Sequence, residues 1–541
     1  MGLRHRVYLA KDRTERLMGP TSLRALALDV KENVLDGLRN DVSRTLEAIS
    51  ASRKLVQLMD SWDQPTKLLA DGQPVKPPQS ILEAMMSCYF ESFNPILPLW
   101  TREGFNKLAS SCEAQQHPGL KRVYAVSASN MILLTLTTKS LQAESERRSR
   151  SRSPNCNASS PMEGDFSRTF VTNARRAINN LELLVHPRIE NIQALLSLCR
   201  VAQLHLTDDM VRLTFSLAVY LARSIGLDHS KPPEQQPGSE LGAEKRNILH
   251  CLSVLERTTC WTTGSHPWAT GCHGLELSRI EEKVFSLLYS RDPRTKDVRT
   301  FQRGVSTIRQ ELERWRGQQR IDSGGVQERG KSIGDADSTK LARAISFHYI
   351  SILAAMPTAC DYVDQDSITN QSRACLGLLA RLLTSYPPVA FLQLFRHIVT
   401  REGIAEAEDL HLLQSFLKLV AAASDMSAPE SYLARLHCFV KLLTDFAVSL
   451  ARGDSEARTV SMQDQWYERE QIDAVNVPGD AGGMASTTIG SLDTIHQCHL
   501  GEIYADSKLS NVPDAGGDLF VDVSQLESRV NHGDLFGSDL F

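Results

Sequence analysis

The sequence has no stretch near the roughly 20 consecutive apolar residues that a membrane-crossing helix needs, and its mean hydropathy is −0.24. A membrane is therefore not an expected partner. The opening residues, MGLRHRVYLAKDRTERL, lack the apolar centre of a secretory leader. Charge of one sign is lacking too. A formal charge of −4 over 541 residues leaves no bulk field to hold nucleic acid. The eleven cysteines are odd in number and scattered, which suits a reducing compartment where buried thiols act as small apolar side chains. There is no HExxH, no GxSxG and no GxGxxG, so enzymatic chemistry finds no support. Alternating strand patterns are missing as well.

Helical periodicity is what the sequence has. Apolar residues make up 42% and charged residues 23%, enough apolar content for a large core. Residues 31–60 carry apolar side chains at 35, 38, 42, 46, 49, 55, 56 and 59, one face of a helix. Pro74, Pro77 and Pro78 then break the pattern. From 81 to about 450 most segments repeat with a period near 3.6, among them RIENIQALLSLCRVAQLHL and DDMVRLTFSLAVYLARSI. The expectation is an all-α fold: a large multi-helix domain over 81–452, preceded by a linker and amphipathic helix over 1–80. Disordered loops are expected near 144–164, 229–242 and 316–338, where Ser/Arg, Pro or Gly and polar residues dominate. Residues 453–541 are poor in apolar content and read as a disordered acidic-hydrophobic tail.

Several patterns invite a chemical reading. Asp228–His229 closes LAVYLARSIGLDHS, but no partner lies at a recognisable spacing. The same stretch reads better as a helix end. Gly226 can take the left-handed conformation of a helix terminus, and Leu227 can fold back on the last turn. Pro232 and Pro233 then prevent a restart. At the other end Thr207 is expected to cap the helix, with Asp208 and Asp209 facing its dipole. GVQERGKS, residues 325–332, matches a phosphate-binding loop in which Lys331 would meet phosphates and Ser332 magnesium. The polar residues on both sides supply neither the strand nor the helix that such a loop needs. His250, Cys251, Cys260, His266, Cys272 and His273 form the densest Cys/His cluster, without the close pairs of a zinc site. No catalytic, cofactor or metal residue is assigned.

The order of the segments resembles a known family. CYFESFNPILPLWTREGF carries Tyr89, Phe90, Asn94, Pro95, Leu97, Pro98 and Phe105. RLTFSLAVYLARSIGLDHS carries Ala218, Ala222, Ile225, Gly226 and Leu227, with Asp228 placed before His229. EKRNILHCLSVLERTTCWTTGSHP carries Glu244, Arg246, Glu256, Arg257, Gly264 and Pro267. Together they resemble the fungal-specific transcription factor domain, the middle homology region of zinc-cluster regulators. RLMGPTSLRAL, residues 16–26, is similar to a segment that often precedes it. There are departures: Leu249 and His250 stand where the family has paired Trp, Glu256 stands for Asp, and the turn has one extra residue.

The resemblance implies a nuclear regulator of RNA polymerase II genes, and a six-cysteine zinc cluster that puts a short helix in the major groove. Here the first cysteine is Cys88. Zinc is thus expected only if a cluster precedes this sequence; otherwise the regulator has no DNA reader of its own. Lys11, Arg13 and Arg16 could touch phosphates at most. Arg147, Arg148, Arg150 and Arg152 form a candidate nuclear-localisation segment. Asp518-Leu519-Phe520, Asp534-Leu535-Phe536 and Asp539-Leu540-Phe541 repeat one motif. Acidic residues there would keep apolar side chains solvated until a coactivator groove takes them. The expected partners are DNA (indirectly, or through the missing cluster), transcription coactivators, a small-molecule effector and a second copy of the chain. The alternative is a non-DNA-binding helical scaffold or corepressor-type interaction protein.

Overall fold

The computed structural model describes residues 6–9, 15–40, 45–62, 72–95, 97–113, 118–149, 161–227, 240–263, 276–289, 298–319, 335–356, 365–379, 388–400, 407–425, 427 and 430–452. The chain divides into two units, Met1–Arg452 and Gly453–Phe541. The second lies wholly outside the described residues.

Helices build the first unit, as expected, and none of those described is long and apolar enough to cross a membrane. Their order is α1 Leu23–Val30, α2 Thr45–Ser61, α3 Gln79–Cys88, α4 Arg102–Glu113, α5 Pro118–Ser149, α6 Pro161–Asn179, α7 Ile189–His205 and α8 Asp208–Ser224. Then come α9 Glu240–Thr263, α10 Glu276–Leu288, α11 Val298–Gln318, α12 Asp335–Ala355, α13 Gln365–Leu379, α14 Val389–Thr400 and α15 Ala407–Ser424. A last helix, α16, spans 432–452. Both α5 and α6 begin on a proline, whose missing N–H costs nothing in a first turn.

The centre is α7. Every residue from Asn191 to His205 is buried, because α5, α6, α8 and α9 all pack against this one helix. The later helices α10 to α14 pack mainly against their sequence neighbours, with α12 bridging to α10 and α14, and α15 packs chiefly on α5. Among the described residues a single apolar core runs from Met18 to Leu450.

Four sequence expectations need adjustment. A short antiparallel hairpin is present, β1 Arg6–Leu9 with β2 Glu15–Met18. Distant contacts hold it: Arg6 pairs with Glu32 at 2.7 Å, and the Arg24 guanidinium stacks 3.5 Å over the Tyr8 ring. The stretch 31–60 is not one helix. A π-helical turn covers Lys31–Leu35, a 3-10 turn Gly37–Asn40, and α2 starts at Thr45. The buried face of α2 is Ala48, Ala51, Ser52, Leu55 and Met59, so Leu46 is 82% exposed. No break in the core falls at residue 81, since Leu26, Leu35 and Leu55 belong to the same core as α7. Finally, helix enters each stretch expected as a loop: α5 continues to Ser149, α6 starts at Pro161, α9 at Glu240, α11 reaches Gln318 and α12 starts at Asp335, and the rest of these stretches lies outside the described residues.

Candidate functional site

Polar side chains on a helix buried all round must find partners inside the protein, and those of α7 draw several segments onto it. Gln193 donates through Nε2 to the Leu99 carbonyl at 2.9 Å. Asn130 of α5 donates to Ser197 Oγ at 2.9 Å, and Ser197 donates to Ala194 O at 2.7 Å. Asn173 of α6 donates to Ser129 Oγ at 2.6 Å and exchanges hydrogen bonds with the Val75 backbone at 2.7 and 2.9 Å. This ties the proline-rich stretch after residue 72 to α5 and α6.

The C-terminal half of α7 is more ionic. Arg200 is 6% exposed and donates to Gln203 Oε1 at 2.9 Å. Burial lowers its pKa to about 10, so the guanidinium keeps its charge at neutral pH. Beside it, burial raises the Cys199 thiol to about 12, which makes it inert as a nucleophile. His205 is fully buried, with Nε2 3.0 Å from Thr137 Oγ1 and Nδ1 2.8 Å from Ser427 Oγ. Both hydroxyls also reach a backbone carbonyl, Thr137 that of Leu133 at 2.9 Å and Ser427 that of Ala423 at 3.3 Å. The neutral ring donates to one of the two hydroxyls and accepts from the other. Burial, and then the Arg200 charge, lower the His205 pKa to about 3. Four polar atoms in this region are buried without a hydrogen-bond partner among the described residues: Trp100 Nε1, Asn130 Oδ1, Gln193 Oε1 and Gln203 Nε2.

The segments that carry the family resemblance meet around α7 and α9. In the first, the π-helical turn Tyr89–Phe93 closes with Asn94 N–H donating to Tyr89 O at 2.9 Å, which stacks the Tyr89 and Phe93 rings 5.4 Å apart in the core. Asn94 Oδ1 accepts from Trp100 N–H at 3.4 Å across the proline turn. Thr101 caps α4 by accepting from Gly104 N–H at 2.9 Å and donates to Glu244 of α9 at 3.4 Å. Residues 16–26 reach α9 as well. Gly19 N–H donates to Thr262 O at 3.1 Å, and Ser22 caps α1 by accepting from Ala25 N–H at 3.3 Å.

On α9, Arg257 pairs with Glu281 of α10 at 3.0 Å, and Trp261 stands edge-on to Phe285 and Tyr289 at 5.3 and 5.2 Å. Burial raises the Glu281 carboxyl and Arg257 opposes the rise. The α8 terminus closes as its sequence implies. Gly226 has φ +72°, its N–H donates to Arg223 O at 2.8 Å, and Leu227 N–H donates to Ala222 O at 3.0 Å. At the other end Thr207 occupies the capping position, but its side chain makes no capping bond. Asp208 does face the dipole, half-buried, with burial raising its pKa against the pull of Arg435 and Arg212.

Most other sequence candidates fall outside the described residues. Asp228, His229, Lys331, Ser332, His266, Cys272, His273, Lys11 and Arg13 lie outside the described residues, as do Arg150, Arg152 and all three Asp-Leu-Phe motifs. Arg16 is in β2, and Arg147 and Arg148 are in the last turn of α5. Cys251 and Cys260 are buried in α9, and burial lowers the His250 pKa. Among the described residues no group of three or more His, Cys, Asp or Glu side chains could hold a metal ion. The polar set on α7 was not singled out from the sequence. One signal was there to read: the polar positions between 190 and 205 spread over about two-thirds of the helix circumference, interleaved with apolar ones, rather than forming one compact face.

Compared with known proteins, the chain is 26% identical over 479 residues to Transcription factor sphG of Aspergillus fumigatus. The match covers 81% of this chain, which spans 64% of that relative's length. No family model matches the chain. No solved structure matches it either.

Proposed function

We propose that the chain is a fungal transcriptional regulator, non-enzymatic and nuclear, that acts on RNA polymerase II genes. Similarity to a fungal transcription factor over four-fifths of its length carries this reading. The docking of the resembling segments on α7 and α9 supports it. In this reading the helical body of residues 81–452, together with the helices before it, receives a signal from an effector or partner. The unsatisfied polar atoms of Trp100, Asn130, Gln193 and Gln203 mark where such a ligand would find hydrogen bonds once neighbouring helices part. The output would be the tail, residues 453–541, whose Asp-Leu-Phe motifs offer Phe520, Phe536 and Phe541 to a coactivator groove. DNA would be reached through a zinc cluster upstream of this sequence or through a partner, and Arg147, Arg148, Arg150 and Arg152 would direct nuclear import.

A tethering assay tests the reading. Residues 1–541 and residues 453–541 are each fused to an unrelated DNA-binding domain and read on a reporter. Activation by the tail, lost when Phe520, Phe536 and Phe541 become Ala, is the expected result. Silence from both fusions would favour the helical scaffold instead.

A further inference from the structure

A cleft opens between α1 and α14. Asp29 and Val30 line it from α1, Val389, Leu392 and Gln393 line it from α14, and Met356, just past α12, lines it as well. It measures about 250 Å³, counting the part open to solvent. Drug-sized ligands need roughly 300 Å³ or more, whereas a water-sized group takes about 30 Å³, so the cleft suits a compact ligand. Its walls are apolar, since Val30, Val389, Leu392 and Met356 all belong to the core. Asp29 is out of keeping with them. It is 6% exposed, and a carboxylate in such surroundings is costly unless a cation or several donors meet it. Asn33 supplies one donor, its Nδ2 2.7 Å from Asp29 Oδ1. Among the described residues Asp29 forms no ion pair: Arg6 is bound to Glu32, and Arg6 and Arg396 act on the carboxylate only from a distance. Burial raises its pKa, against the pull of Asn33 and of these charges. On α14, Gln393 donates through Nε2 to Met356 Sδ at 3.6 Å, which leaves its carbonyl oxygen to accept.

We infer that this cleft binds a small primary alkylamine as its ammonium ion, with the head between Asp29 and Gln393 and the alkyl stem on Val30, Val389 and Leu392. The chemistry selects this class. A neutral ligand would leave the buried carboxylate without a counter-charge. A guanidinium fork needs both carboxylate oxygens, and Asn33 already covers Oδ1. A calcium ion needs six to eight oxygens, more than one carboxylate and one amide present. An ammonium is compact and carries three donors that rotate to suit their acceptors, here Asp29 Oδ2 and the Gln393 carbonyl. So small a ligand binds weakly, with a Kd on the order of 1 mM. The inference rests on other residues than the polar atoms of α7, and it stands or falls apart from the transcriptional reading.

The test titrates the full chain with n-butylammonium chloride to about 50 mM and reads saturation-transfer NMR of the butyl protons, with circular dichroism as the control for folding. The expected result is saturable binding that Asp29→Asn, a change of charge at constant shape, weakens by about tenfold or more. Gln393→Leu should weaken it by about threefold, and this half-buried position keeps the test in hand if the Asp29 variant does not fold. Tetramethylammonium, which has the charge but no N–H, should not bind. Nα-acetyl-lysine amide carries the same ammonium on a bulkier body and should bind at least about tenfold more weakly. A titration with no saturation overturns the inference, as does butylammonium binding that Asp29→Asn or Gln393→Leu leaves unchanged. Equal binding of tetramethylammonium would reduce the effect to unspecific charge. Equal binding of the lysine amide would give the cleft to a lysine side chain of another protein, and the small-molecule assignment would fall.

Discussion

His205 sits where a charge cannot be tolerated, fully buried and hydrogen-bonded as a neutral ring between Thr137 and Ser427. Its pKa of about 3 lies below the ordinary value of 6.5, so between those two values the unfolded chain binds a proton that the folded chain refuses. The stability it supports is therefore complete above about pH 6.5 and drains as pH falls toward 3. The full loss is on the order of 5 kcal/mol. The urea midpoint should drop from pH 7.5 to pH 5 in the native chain. In His205→Gln, which has no proton to gain, the drop should be distinctly smaller, and equal slopes would refute the assignment. Buried carboxyls such as Glu281 act with the opposite sign, since a raised pKa loses its contribution as pH climbs, so the comparison with His205→Gln isolates the imidazole. The Arg257–Glu281 pair offers a second test at this scale. Removing Arg257 leaves a 7%-exposed Glu281 without that cation, and Arg257→Ala should cost about 2–4 kcal/mol by chemical denaturation. Glu281→Gln should cost less, since its carboxamide can still accept from Arg257. The pair on α9 was visible in the sequence as a motif, but its partner on α10 was not, because a contact 24 residues away leaves no local trace.

At the scale of elements, legibility follows the range of the forces. The end of α8 could be read because it is decided within six residues, by Gly226 and the fold-back of Leu227. Replacing Gly226 with Ala puts a side chain at φ +72° and should destabilise the chain by about 1 kcal/mol in thermal or urea unfolding. A larger effect is expected at Gly304 in α11, where an added Cβ would lie 2.1 Å from Leu287 Cδ2 of α10. Gly304→Ala should cost about 1–3 kcal/mol by forcing the helices apart, and Leu287→Ala should relieve part of that cost in the double variant. Less could be read where tertiary contacts overrode the pattern. The apolar count over 31–60 put Leu46 on a buried face, whereas the turns at 31–40 shift the phase and Ala48 takes the inside position. The hairpin at 6–18 escaped for the same reason: strands of four residues have too few positions to alternate visibly, and their support comes from Glu32 and Arg24.

Among the described residues one core joins residues 18 to 450. A chain ending at Arg452 should unfold with the same midpoint as the full chain by circular dichroism. A chain beginning at residue 81 strips Leu26, Leu35 and Leu55 from their neighbours and should be insoluble or melt far lower. The centre of that core is α7, walled in on every side. A surface helix can drift in sequence as long as one stripe stays apolar, but α7 has no outward position at which a change is cheap. Substitutions at Gln193, Ser197 or His205 strand a partner on another helix, and those at Ala194 or Leu198 leave a void or a clash. Time should therefore move unevenly along this chain. Among relatives as distant as the 26% identical one, residues 191–205 should be the slowest clock in the protein, and the exposed sides of α2 and α11 the fastest.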